Sequence, residues 1–78
     1  MTKHEASRRA LDAETAMRDL NGADLIAYAQ NAIADTQAEL SRLSGLNADT
    51  IRAIGKGRRV TRAQRAALCW AVFRRWAA

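Results

Sequence analysis

Three segments of this chain begin with threonine and carry Glu or Gln three residues later: T-K-H-E at Thr2, T-Q-A-E at Thr36 and T-R-A-Q at Thr61. In such a capping box the hydroxyl accepts from the N–H of the fourth residue, whose side chain returns to the threonine N–H. Three helix starts in 78 residues without a proline leave little room for other structure. Strand signals are missing, since β-branched and aromatic residues are few and nowhere alternate. The expectation is an all-α chain of five helices.

The first helix starts at Thr2 and carries Ala6, Ala10, Ala13, Met17 and Leu20 on one face, until Asn21-Gly22 stops it. Asn21 caps a second helix, with Asp24 in its first turn near the positive end of the dipole and Leu25, Ile26, Ala29 and Ile33 as its apolar stripe. Thr36 opens a short third helix with Leu40 and Leu43 inward, ended by Gly45 in the left-handed conformation. Asn47 caps a fourth, with Ile51 and Ile54 buried, which Gly55 and Gly57 end. Thr61 starts the last, running through Leu68, Val72 and Trp76. Residues 1–78 form one domain, an N-terminal amphipathic helix (1–21) on a core of 22–78.

Size and composition narrow the function classes. A chain of this length buries only roughly 60–65% of its unfolded surface. It is 49% hydrophobic and 27% charged, a globular balance. No run approaches the roughly 18 apolar residues of a membrane span, and the polar N-terminus MTKHEASRRALDAE lacks a signal-peptide core. Cys69 is the one cysteine and His4 the one histidine, which leaves no disulfide and no metal cluster. We expect a cytoplasmic protein without metal, cofactor or catalytic residues.

Charge is the stronger clue. Residues 1–40 carry four basic and seven acidic side chains, whereas residues 41–78 carry nine basic and one acidic. Between Arg52 and Arg65 stand six cations and no acid. A block of this kind concentrates positive potential and suits a polyanion. Immediately before it, two short helices joined by a glycine-containing turn make a helix-turn-helix arrangement. The outer face of the second would carry Asp49, Arg52, Ala53 and Lys56, with Asn47 and Ala48 at its tip. A face like that can enter a major groove, its N-terminal residues nearest the base edges.

Over residues 25 to about 72 the chain resembles the lambda-repressor/Cro family of phage and bacterial regulators, of the xenobiotic-response-element type. The matching residues are Thr36-Gln37, Glu39-Leu40, Gly45-Leu46, Ile51, Ile54 and Gly57. Ser41 stands where the family usually has Ala, and Gly55-Lys56-Gly57 replaces its Glu-Asn-Gly loop. The resemblance implies a nucleoid-associated regulator that binds double-stranded DNA. Base edges would be met by Asn47, Ala48, Asp49, Arg52 and Ala53. Gln37, Lys56, Arg58, Arg59, Thr61 and Arg62 would hold phosphates. Of the readers, Arg52 is best suited to guanine, while the two alanines reach only a thymine methyl.

ALCWAVFRRWAA, at the end of the chain, is apolar on more sides than one small core can cover. We expect Trp70, Phe73 and Trp76 to supply a homodimer interface, so that two recognition helices read a palindrome. A competing expectation is a protein partner on the same fold, as for an antitoxin or an inhibitor of a host nucleic-acid machine. The poverty of readers on the fourth helix favours it.

Overall fold

A computed structural model describes residues 2–77, which form α1 (Lys3–Met17), α2 (Gly22–Ile33), α3 (Gln37–Ser44), α4 (Ala48–Gly55) and α5 (Arg62–Trp76). No strand occurs among the described residues.

Four of the five starts follow from a side-chain cap. The hydroxyls of Thr2, Thr36 and Thr61 accept from the N–H groups of Glu5, Glu39 and Gln64, and Asn47 accepts from Thr50. Both halves of the capping box are present only at Thr61, where Gln64 accepts from the threonine N–H at 3.0 Å. At Thr36 the return bond is displaced: Asp35 takes the Thr36 N–H at 2.7 Å, and Glu39 is claimed by Arg42.

Two helix ends differ from expectation. α1 stops at Met17 rather than at Asn21-Gly22, and Asn21 makes no side-chain cap for α2. Arg65 of α5 explains both. Its guanidinium donates to the carbonyl of Met17, to that of Leu20 at 2.7 Å, and to Asn21 Oδ1 at 3.1 Å. α2 ends on Ala34 in the left-handed region (φ 52°, ψ 44°), a conformation that favours glycine.

The core draws on every helix. Met17, Leu25, Ile33, Leu40, Ile51, Ile54, Leu68 and Val72 are fully buried. Each removes from water an apolar side chain worth about 1.5–3 kcal/mol. No polar side chain is buried among the described residues.

α5 is the frame on which three other helices end. Besides Arg65 at α1, Arg74 donates to Leu43 O at 3.2 Å at the end of α3. Arg75 and the indole of Trp76 donate to Ile33 O and Ala32 O at the end of α2. These contacts satisfy carbonyls that a helix leaves without internal partners. α1 lies along α5, whereas the backbone of α4 runs against α2 and α3. The radius of gyration is 11.3 Å.

Candidate nucleic-acid interface

The three residues Gly45-Leu46-Asn47 that join α3 to α4 are held by their neighbours. Gly45 adopts φ 79°, and its N–H donates to Ser41 O at 3.0 Å. The Ser41 hydroxyl donates to Leu46 O, and Leu46 N–H donates to Ser44 Oγ at 3.2 Å. Ser41 therefore anchors the turn, a role that its small size alone did not suggest. Leu46 is half-buried against the core, so the connection is fixed at both its polar and its apolar groups.

On α4, Ile51 and Ile54 face inward, while Ala48, Asp49 and Arg52 are exposed. Ala53 is half-buried, which leaves it less available than expected. Asn47 is first of all the cap, its carbonyl oxygen 2.8 Å from Thr50 N, with the amide NH2 left over. Asp49 and Arg52 form an ion pair one turn apart on the exposed face. The outer surface of α4 is thus close to neutral, with its one cation turned onto its own carboxylate.

The end of α4 is a Schellman motif. Arg58 N–H donates to Ala53 O and Gly57 N–H to Ile54 O, both at 3.0 Å, with Gly57 at φ 107°. Gly55 remains helical, so Gly57 is the stop. This geometry turns the chain sharply and delivers Lys56, Arg58 and Arg59 as a short exposed run, followed by Arg62 at the start of α5. None of these four is ion-paired among the described residues. Arg65, the sixth cation of the block, is half-buried and spent on the end of α1.

Thr61 contributes through the backbone that it organises rather than through free polar atoms, because its hydroxyl and N–H are both used in the capping box. The N–H groups left over in the first turn of α5 are those of Arg62 and Ala63. Gln37 is half-buried at the first position of α3. Nearby, the Arg42 guanidinium hydrogen-bonds to Glu39 and holds its carboxyl below the usual range, against a smaller opposing effect of burial.

The three aromatic residues expected at one interface separate. Trp70 is 55% exposed and stacks on half-buried Phe73, ring centroids 5.0 Å apart. Trp76 instead turns inward, its indole N–H on Ala32 O and its ring flanked by the guanidinium groups of Arg9 and Arg75. Cys69 is half-buried and its thiol donates to Ala10 O, with burial raising the thiol above its ordinary range.

The contacts of Arg65, Arg74, Arg75 and Trp76 escaped sequence reasoning because their partners lie 31 to 48 residues away. No local pattern records such pairs. Compared with protein-family models, curated proteins and solved structures, the chain matches none.

Proposed function

We propose that this chain is a DNA-binding transcriptional regulator of the helix-turn-helix type, similar to the lambda-repressor/Cro regulators. In this reading α3 and α4 are the motif, α4 lies in the major groove, and two copies bind a palindromic operator. The observation that carries it is the four-cation run. Lys56, Arg58, Arg59 and Arg62 stand exposed and unpaired among the described residues, directly beyond a two-turn helix whose outer face is open. In a groove-bound α4 these cations would lie toward the flanking phosphates. Arg52 supplies the hydrogen bonds to a base edge, after release from Asp49.

Fluorescence-anisotropy titration of the DNA upstream of the chain's own gene, beside a shuffled duplex, tests this at several salt concentrations. We expect a preference for the upstream DNA of about a thousandfold or more. Four phosphate contacts give a log–log salt slope of about −3.6. Equal binding to both duplexes would remove the sequence-specific part of the proposal.

The Asp49–Arg52 pair favours a second reading, a protein-interaction module on the same fold. A helix face of alanines and a self-neutralised pair offers few hydrogen bonds to bases. Absence of binding to either duplex at moderate salt would turn the search toward a protein partner.

A further inference from the structure

We propose that the groove between α1 and α5 is the surface through which two copies of this chain pair across a two-fold axis. This supplies the interface for the dimeric part of the reading above and rests on it only for its purpose. No residue of α4 lines the groove, so two paired copies would both keep the exposed face of α4 open.

The first support is where unburied apolar surface collects. Leu11 is 62% and Trp70 55% exposed, the two large apolar side chains left so open among the described residues. They come from different helices yet line one groove, together with Phe73 and Ala66. Single exposed apolar side chains need no explanation, but a contiguous apolar groove marks a contact surface.

The second support is that the groove is complementary to itself. A two-fold interface places the same patch on both copies, so whatever projects from it must also find a recess within it. On α5 the bulky pair Trp70 and Phe73 lies on the C-terminal side, and exposed Ala66 lies one turn toward the N-terminus. Two α5 helices running antiparallel therefore set the aromatic pair of each over the alanine of the other.

Charge obeys the same symmetry. On α1, Arg8 and Glu14 lie three residues to either side of Leu11, both exposed and neither ion-paired among the described residues. Consider the same two-fold axis, running across α1 and α5 at right angles to them and passing beside Leu11. It brings Arg8 of each copy to Glu14 of the other, and both pairs form at once. A partner of different sequence would not require this symmetry about Leu11, and a second copy does.

The test is sedimentation velocity without DNA, over a concentration series, on the full chain, Arg8→Glu, Glu14→Arg and an equimolar mixture of the two variants. Each variant alone opposes like charges at both contacts, so its dimer dissociation constant should rise by at least about tenfold. In the mixture both contacts become attractive again, and dimer should return to the level of the unaltered chain. Trp70→Ala should abolish the dimer. Neither charge variant touches a bond of the fold, so thermal melting should stay in place. A chain that remains monomeric across the series would overturn the proposal, as would charge variants that dimerise unchanged or a mixture no better than its components. Because no DNA is present, the dimer and the DNA-binding reading can fail separately.

Discussion

The indole N–H of Trp76 donates to the carbonyl of Ala32 at 2.8 Å, fastening the last turn of α5 to the last turn of α2. Guanidinium groups from Arg9 and Arg75 lie 4.4 and 4.9 Å from the centroid of its ring, so α1 is drawn to the same point. Trp76 therefore joins three helices within one copy. Full truncation of a buried Trp costs about 3–5 kcal/mol, and for half-buried Trp76 we expect about 2 kcal/mol. Trp76→Ala should lower the melting temperature by about 10 °C while leaving the oligomeric state of the folded protein alone. Calorimetry beside sedimentation measures both.

Arg65 is a cation of the basic block by sequence and a helix terminator by structure. Its guanidinium serves the carbonyls of Met17 and Leu20 and the side chain of Asn21. Arg65→Met keeps the apolar stem and removes these bonds, so stability should fall by about 1–3 kcal/mol. The salt slope of DNA binding should not change, because this guanidinium is turned inward. A slope that dropped by one would instead place Arg65 among the phosphate contacts.

What was legible in the sequence was local. Thr36, Asn47 and Thr61 cap where their spacing says they should, Gly45 takes the left-handed turn, and Leu40, Ile51, Ile54 and Leu68 are buried. Helix ends governed from a distance were not. α1 ends where Arg65 reaches it, and nothing in residues 2–22 records that contact. The candidate site divides in the same way. The run Lys56, Arg58, Arg59 and Arg62 could be read directly, because exposed cations need no partner to be recognised. Whether Trp76 packed inward depended on Ala32, 44 residues away, and on Arg9 of another helix. Periodicity gave α5 too many apolar faces and could not tell which of them met the core.

Ala34 ends α2 with φ 52° and ψ 44°, where an alanine Cβ crowds its own backbone. The left-handed region costs a non-glycine residue roughly 1–2 kcal/mol. Ala34→Gly removes that cost but loosens the unfolded chain by roughly 0.4–1 kcal/mol. A net gain of about 0.5 kcal/mol should raise the melting temperature by about 3 °C. Ala34→Val, with a branched Cβ in the same conformation, should lower it. If Gly gave no gain, α2 would not need the left-handed turn.

Arg58 and Arg59 follow the Schellman turn at Gly57 and make no ion pair among the described residues. Arg58→Ala and Arg59→Ala should each make the log–log salt slope of DNA binding shallower by about one, on cognate and shuffled duplexes alike. Thermal stability should move by less than about 0.5 kcal/mol, since both are exposed. Unchanged slopes would exclude the run from phosphate contact.

The pair of Asp49 and Arg52 makes opposite predictions for its two members. On an exposed helix such a pair contributes about 0–1 kcal/mol, so removing either partner should barely affect folding. Its effect should fall on binding. Asp49 repels phosphate and occupies the guanidinium that would reach a base edge. Asp49→Asn should therefore strengthen binding to cognate and shuffled duplexes severalfold, and by no less on the cognate one. Arg52→Ala should cost about 1–3 kcal/mol on the cognate duplex and little on the shuffled one. Anisotropy titrations of both variants on both duplexes separate these effects. If Asp49→Asn instead weakened cognate binding alone, the carboxylate would be accepting from a base, with cytosine N4 the natural donor. If neither variant changed binding to any duplex, α4 would not face the DNA.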